Sequence, residues 1–163
     1  MALSHSRRSV SALALAATFV SSVSALAAPQ QAAELFLRAL PGQPKWLPDE
    51  PPLFGSYLAS GEGEASGGLV GRFVWDLYED QSGEDRHPAW LRGYLEREGR
   101  RYPFVIIGIY TPDSADRRRW RISGTITFDD SKLLGAPHAP ITGLYEADSS
   151  SARYVVWIDR DAR

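Results

Sequence analysis

Two histidines, His87 and His138, are the residues of this chain best suited to proton transfer or metal binding. Each lies in a proline-containing stretch, His87-Pro88 and His138-Ala139-Pro140, and Glu84 and Asp85 precede the first. An imidazole beside a carboxylate can act as a general acid and base or bind a metal ion. No ligand spacing marks either histidine, so we expect both to be solvated. The sequence therefore predicts no catalytic residue, no metal site and no cofactor.

Other catalytic patterns are missing from the sequence. No serine is bracketed by glycines at the spacing of a nucleophile elbow. No acidic residue falls on the predicted inward face of a strand, so no interior carboxylate pair can be nominated for acid and base catalysis. The chain has no cysteine. This excludes disulfides, thiolate chemistry and a lipid anchor at cysteine.

A basic run, Arg117-Arg118-Arg119-Trp120-Arg121, is the sharpest charged feature of the sequence. In an extended strand, Arg117, Arg119 and Arg121 share one face, where three guanidinium groups could bind carboxylates or phosphates. These three residues are the candidate anion-binding or partner-binding residues. The alternative is a soluble outer face, neutralised by the nearby acidic residues Asp113, Asp116, Asp129 and Asp130.

Aromatic residues provide a second candidate site. Trp75, Tyr110, Trp120 and Tyr145 fall on the predicted inward face of their strands, as do Phe73 and Phe128. If the sheet closes, these rings fill the core. If it opens like a cup, some of them form an apolar pocket with tyrosine hydroxyls at its mouth. Trp75, Tyr110, Trp120 and Tyr145 are therefore the candidate ligand-binding residues.

A recurring pattern predicts the fold that positions these residues. An aliphatic residue, a glycine two positions later and a large apolar residue two positions after that occur six times, centred on Gly55, Gly71, Gly93, Gly108, Gly124 and Gly143. Side chains two positions apart share one face of a strand, and glycines stacked on one face permit sharp bending. We predict a mainly β fold, a curved antiparallel sheet or small meander barrel of about six or seven strands.

Three segments in the N-terminal part of the chain are predicted to be other than strand. The apolar stripe of Gln30 to Leu40 predicts one short N-terminal helix that braces the sheet. Five prolines in 41–52 predict an extended lead-in. The glycine-rich and glutamate-rich segment 61–68 predicts a flexible loop. The expected organisation is a helix and proline-rich lead-in over 28–52 and an antiparallel β domain over 53–163.

The first 27 residues have the layout of a secretory signal peptide. Arg7 and Arg8 precede a short apolar run, and Ala25-Leu26-Ala27 offers small residues for cleavage. That run is too short to span a membrane. We expect an exported protein, periplasmic or secreted, without a membrane span or a lipid anchor. Its net charge of −2 argues against a nucleic-acid partner.

One pair of segments resembles a known family. Ile141-Thr142-Gly143-Leu144-Tyr145-Glu146, followed by Ala152-Arg153-Tyr154-Val155-Val156, is similar to strand pairs of avidin-type barrels. The resemblance covers two strands and implies neither a ligand nor site residues for this chain.

These patterns favour a non-catalytic binding module of the cell envelope. Its partner would be an envelope protein or a small apolar or sugar-like ligand, and an inhibitor-like role is one form of this function. The alternative is a small periplasmic enzyme, a hydrolase or isomerase, that uses His87 or His138 with a neighbouring carboxylate. A structural subunit of an envelope assembly is a third interpretation.

Overall fold

The computed structural model describes residues 29–40 and 56–158, and within these the side chains of all but residues 56 and 57. The predicted signal peptide 1–27 and the proline-rich segment 41–52 lie outside the described residues. Eight antiparallel strands form a closed barrel in which each strand pairs with its neighbours in the chain and β1 pairs with β8. The strands are β1 Gln30–Ala39, β2 Ser56–Gly67, β3 Gly71–Asp80, β4 His87–Arg97, β5 Arg100–Pro112, β6 Arg119–Phe128, β7 His138–Glu146 and β8 Ser151–Ile158.

The predicted curved antiparallel sheet is confirmed, and it closes. Gly71, Gly93, Gly108, Gly124 and Gly143 all lie in strands. Their aliphatic partners, among them Leu91, Ile106, Ile122 and Ile141, are buried in the interior. The copy centred on Gly55 begins outside the described residues.

The large interior rings lie over glycines of the neighbouring strands. Trp75 pairs with Gly61 on one side and with Gly93 on the other. A Cβ added to Gly61 would lie 2.1 Å from Cζ2 of the Trp75 indole. Tyr154 pairs with Gly143 in the same way, and an added Cβ there would lie 3.1 Å from the tyrosine ring. The glycines therefore make the space that the bulky side chains fill.

The predicted N-terminal helix is wrong, because Gln30–Ala39 forms strand β1. Ala33, Leu35 and Leu37 alternate into the core, whereas Phe36 is 53% exposed on the outside. The same residues also fit a helical stripe, so local sequence does not decide between the two structures. Pairing with both β2 and β8 decides it, since this strand closes the barrel.

The predicted flexible loop at 61–68 is also wrong over most of its length, since β2 extends to Gly67. The small residues Ala59, Gly61, Gly63 and Ala65 fall on the inward face, and Glu62 and Glu64 fall on the outward face. This is a strand alternation in which small residues replace the usual aliphatic ones. Misassigning β1 and most of β2 explains why the sequence predicted about six or seven strands and the barrel has eight.

The two ends of the barrel interior differ in chemistry. At the end where β1 begins and β8 finishes, Phe73 packs edge to face against Phe104 and Phe128, with ring centroids 4.9 Å and 6.4 Å away. At the opposite end lie Tyr110, Tyr145 and Tyr154, and we call this the tyrosine end. The phenylalanine end is filled with hydrocarbon, so the polar chemistry of the interior is concentrated at the tyrosine end.

A three-residue 3₁₀ turn at Ser131–Leu133 is the helical element of the described residues. No helix in that part of the chain is both long enough and apolar enough to cross a membrane.

Candidate functional site

A cavity opens at the tyrosine end of the barrel. Its volume is about 30 Å³ for the centres of water-sized molecules, and a wider space of about 410 Å³ includes open solvent at the mouth. The smaller value limits the size of an occupant, since one water needs about 10–15 Å³ by this measure. Its walls include Leu37, Ala59, Leu77, Leu91 and Ala152, together with Trp75, Glu79, Tyr110, Tyr145 and Tyr154. The enclosed part therefore fits a small group, not a whole drug-sized molecule.

Two tyrosine hydroxyls meet in the wall of this cavity. The oxygens of Tyr110 and Tyr154 lie 2.8 Å apart, in hydrogen-bond contact. Burial raises the pKa of the Tyr110 phenol well above its usual value of 10.0, and the neighbouring Tyr154 adds to the shift. Burial likewise raises the pKa of Tyr154, against the opposing effect of its hydrogen bond with Tyr110. Both hydroxyls therefore stay protonated in the folded protein at neutral pH.

The indole of Trp75 has an unsatisfied hydrogen-bond donor. Trp75 is 6% exposed and lines the cavity. Its Nε1 is buried and has no hydrogen-bond partner among the described residues. Leaving such a group unpaired costs about 1–3 kcal/mol, so this position needs an explanation.

Glu79 and His87 form a buried pair beside the tyrosines. Oε1 of Glu79 lies 2.8 Å from Nδ1 of His87, and the two side chains are 11% and 9% exposed. The other ring nitrogen, Nε2, lies 2.9 Å from the carbonyl oxygen of Gly83. Trp120 stacks on the imidazole, with ring centroids 4.5 Å apart. Both nitrogens of His87 are therefore engaged, and its ring is partly covered.

The partners of His87 fix the net charge of this pair. A carbonyl oxygen only accepts hydrogen bonds, so Nε2 must carry a proton. The contact between Nδ1 and Glu79 holds one further proton, on either the imidazole or the carboxyl group. The pair is then either an imidazolium with a carboxylate or two neutral groups. Its net charge is zero in both cases.

This pair corrects two expectations from the sequence. His87 is not a solvated loop residue, because it is the first residue of β4 and is 7% exposed. Glu79 is an inward-facing acid, although the sequence predicted none. It continues the inward alternation of Phe73, Trp75 and Leu77 by one more step, within β3. Extending the same alternation would have found it.

His138 is far from this pair. It is exposed and begins β7 at the phenylalanine end, whereas His87 begins β4 at the tyrosine end. The two imidazoles therefore do not meet in one cavity. Among the described residues, no group of three or more histidine, aspartate or glutamate side chains converges as a metal site.

Three of the four candidate ligand-binding residues line the cavity. These are Trp75, Tyr110 and Tyr145, and the Tyr110 and Tyr145 rings pack edge to face with centroids 6.2 Å apart. Trp120 is half-buried at the same end, where it covers His87 and donates from Nε1 to the carbonyl oxygen of Arg117 at 2.8 Å. Trp120 therefore packs against the Glu79–His87 pair beside the cavity.

The candidate anion-binding arginines lie on the outer surface near the same end, in ion pairs. Arg121 bonds to Asp113 at 2.6 Å, and Arg117 bonds to Asp85 at 3.2 Å. Arg119 lies 3.9 Å from Glu146 and 4.0 Å from Asp113. Arg117 precedes β6, in a turn where its φ is 57°, so the expectation that it continues the strand face is wrong. An incoming anion would have to compete with these carboxylates.

Comparison of the chain with protein-family models, with curated proteins and with solved structures finds no match.

Proposed function

We propose that this chain is a non-catalytic binding module of the cell envelope, and that its tyrosine end takes up an apolar group. That group belongs to a small apolar or sugar-like ligand or to a side chain of an envelope protein. The observation that carries the proposal is an open cavity whose lining surface is almost entirely apolar, with Leu77, Leu91 and Trp75 among its walls. A pocket of this kind, apolar with a few polar atoms, is typical of ligand sites.

The size of the cavity supports binding of a small group. About 30 Å³ holds roughly two waters by the same measure, and typical small-molecule pockets enclose about 300–1,000 Å³. A partner therefore inserts a few heavy atoms and keeps the rest of its surface outside. An inhibitor-like barrel that receives one side chain of a target protein is consistent with this geometry.

The alternative function, a small periplasmic hydrolase or isomerase, would have to use the buried pair of Glu79 and His87. A general base needs a free nitrogen within hydrogen-bond reach of the substrate proton. Both nitrogens of His87 are instead engaged, by Glu79 and by Gly83. Catalysis would require His87 to leave Gly83, so we favour a structural role for this pair and a binding function for the cavity.

The binding proposal predicts that a small apolar probe enters the tyrosine end. We expect cyclopentane or cyclopentanone to shift the methyl resonances of Leu77 and Leu91 in NMR titrations, with a dissociation constant in the millimolar range, about −4 kcal/mol. Ala152→Leu fills the cavity and should abolish the shifts. Val155→Leu, on the outer face of the same strand, should preserve them. Shifts from neither probe, or equal binding to the Ala152→Leu variant, would refute the site.

We also propose that the chain is exported and cleaved after Ala27. The expected result in a bacterial host is a processed protein in the periplasm or medium whose N-terminal sequence begins Ala28-Pro29. Replacing Ala27 by Asp should leave an unprocessed precursor, because the cleavage site requires small residues. Full-length protein recovered from the cytoplasm with Met1 or Ala2 at its N-terminus would contradict export.

A further inference from the structure

We propose that the proline-rich segment 41–55 of this chain docks on the outside of the barrel, against an apolar surface on β2, β3 and β4. The proposal is independent of the cavity at the tyrosine end. It depends on the burial of two outward-facing side chains, on the place where the segment joins the barrel and on the composition of the segment.

Four apolar residues form a row across the outer face of neighbouring strands. Leu58 pairs with Tyr78, Tyr78 pairs with Trp90, and Trp90 pairs with Ile107. Each of the four is next in sequence to a residue of the barrel core, namely Ala59, Leu77, Leu91 and Ile106. Because successive side chains of a strand point to opposite faces, the four lie on the outside. We call them the outer row.

Exposure to solvent changes sharply along the outer row. Ile107 and Trp90 are exposed, whereas Tyr78 is 8% and Leu58 is 9% exposed. The ring of Trp90 packs against Tyr78, with centroids 5.1 Å apart, and covers one side of it. Leu58, at the end of the row, has no such neighbour in the row on its far side. An outward-facing side chain is buried this far only where another part of the chain lies over it.

The connection between β1 and β2 joins the barrel beside these covered residues. The backbone nitrogen of Leu40 donates to the carbonyl oxygen of Ser60 at 2.9 Å, and β2 begins at Ser56. Segment 41–55 therefore leaves and re-enters the barrel within a few residues of Leu58. Its two attachment points are about 13 Å apart along β2, whereas a chain of this length can extend to about 50 Å. The connection is long enough to cross the outer faces of β2 and β3.

The other segments outside the described residues join the barrel elsewhere. Segments 1–28 and 159–163 lead to Gln30 and Ile158, which pair at the phenylalanine end. Within the described part of the chain, the 3₁₀ turn contacts β6, three strands away from β3. The position of its ends therefore assigns the cover of the outer row to segment 41–55.

The composition of segment 41–55 suits an aromatic surface. It contains five prolines and four large apolar residues, among them Trp46. A proline-rich chain favours the extended polyproline conformation, and segments of this kind bind on aromatic side chains. Tyr78 and Trp90 provide such side chains. The segment thus supplies the apolar groups that the Leu58 end of the outer row requires.

Nuclear Overhauser effects in the wild-type protein test the contact directly. We expect cross-peaks from apolar side chains of segment 41–55 to the methyl groups of Leu58 and to the ring of Tyr78, and none to Ile107. Mixed samples of labelled and unlabelled protein separate contacts within one chain from contacts between chains. Cross-peaks that arise only between chains would assign the outer row to a second copy and overturn the proposal. So would the absence of cross-peaks from this segment to both residues.

A double-mutant cycle measures the same contact as stability. The segment variant replaces its four large apolar residues by serine, as Trp46→Ser, Leu47→Ser, Leu53→Ser and Phe54→Ser. Leu58→Ala should lower the folding equilibrium constant of the wild-type protein, and in the segment variant this loss should be smaller by about fivefold or more. Urea unfolding gives the constants.

The matched control for the cycle is Ile107→Ala, at the exposed end of the same row. Ile107 lies three strand spacings from Leu58, about 14 Å, so its loss should be the same in both backgrounds to within about twofold. Equal losses for Leu58→Ala in the two backgrounds would contradict docking. If the segment variant does not fold, the cross-peaks of the wild-type protein decide.

Discussion

An imidazole and a carboxylate can be buried side by side only when their polar atoms find partners. Glu79 and His87 meet this condition through their mutual contact at 2.8 Å, through Gly83 and through Gln81, whose Nε2 donates to Glu79 at 3.3 Å. Trp120 completes the enclosure by stacking on the imidazole. The pair therefore stabilises the tyrosine end only as a complete unit.

Removing one member of this pair should destabilise the barrel more than its size suggests. We expect Glu79→Ala to lower the free energy of unfolding by about 3 kcal/mol, because Nδ1 of His87 is left buried without its partner. The double variant Glu79→Ala/His87→Ala should cost less than the sum of the single changes. Urea unfolding monitored by circular dichroism gives these values.

The control for these Glu79 and His87 variants is an exposed ion pair. Arg153 bonds to Glu34 across β8 and β1, and the arginine side chain is 69% exposed. Arg153→Ala should cost less than about 1 kcal/mol, since solvent screens such pairs. A similar small cost for Glu79→Ala would show that the buried pair does not act as a unit.

The positions of Trp75, Tyr110 and Tyr145 on the inward face could be predicted from the sequence, but the Glu79–His87 pair could not. The aromatic residues could be predicted because alternation places each one on the inward face. The partner of His87 could not be predicted, because Glu84 and Asp85 are closer to His87 in the sequence. Glu79 reaches His87 only across the hairpin of β3 and β4. The unpaired state of the Trp75 indole depends on the three-dimensional surroundings and has no sequence signal.

Small residues determine how closely the strands of this barrel approach. Gly93 pairs with Trp75, and a Cβ at Gly93 would lie 1.9 Å from the carbonyl oxygen of Val74. Backbone atoms cannot rotate away as a flexible side chain can, so β3 and β4 would have to separate. Gly93 is therefore required by the spacing between strands.

We expect Gly93→Ala to lower the free energy of unfolding by about 3 kcal/mol, at the upper end of the usual range for overpacking. Gly68→Ala is the matched control, because its added Cβ meets one atom, the carbonyl oxygen of Ala32 at 3.3 Å. It should change stability by less than about 1 kcal/mol. Thermal and urea unfolding of the two variants provide the comparison, and equal stabilities would contradict the packing role of Gly93.

Most elements could be predicted from alternation, whereas β1 and most of β2 could not. In β4 to β7 an aliphatic residue, a glycine and a large apolar residue mark the inward face. In β2 the inward residues Ala59, Gly61, Gly63 and Ala65 are all small, so the apolar signal is weak. Their size is explained by the neighbours, since the Trp75 indole and Leu37 fill the space above Gly61 and Gly63. Such complementarity becomes visible only once the strands are paired.

At the scale of the whole molecule, the buried tyrosines couple stability to alkaline pH. The pKa values of Tyr110 and Tyr154 are raised in the folded state above 10.0, mainly by burial. Below pH 10 both tyrosines keep their protons in the folded and in the unfolded state, so these two groups do not change stability there. Above pH 10 the unfolded chain releases protons that the folded barrel retains, so stability falls as pH rises.

The expected slope from these two groups is about 2.7 kcal/mol per pH unit, reached above pH 10 and below the folded pKa values. Urea unfolding at successive pH values measures it. The double variant Tyr110→Phe/Tyr154→Phe should lose this part of the slope. Tyrosinate absorbance adds a second check, because two tyrosines should ionise only as the barrel unfolds. Early ionisation of all tyrosines would contradict the burial argument.

Pairing of β1 with β8 also determines which end of the barrel faces away from an attachment point on either strand. An even number of antiparallel strands brings Gln30 and Ile158 side by side at the phenylalanine end, where they pair. A linker, an affinity tag or a chip surface joined at either residue is thus attached opposite the cavity. Immobilised molecules would all display their tyrosine ends outward, which suits this barrel to oriented sensor surfaces and to permuted chains joined at that seam.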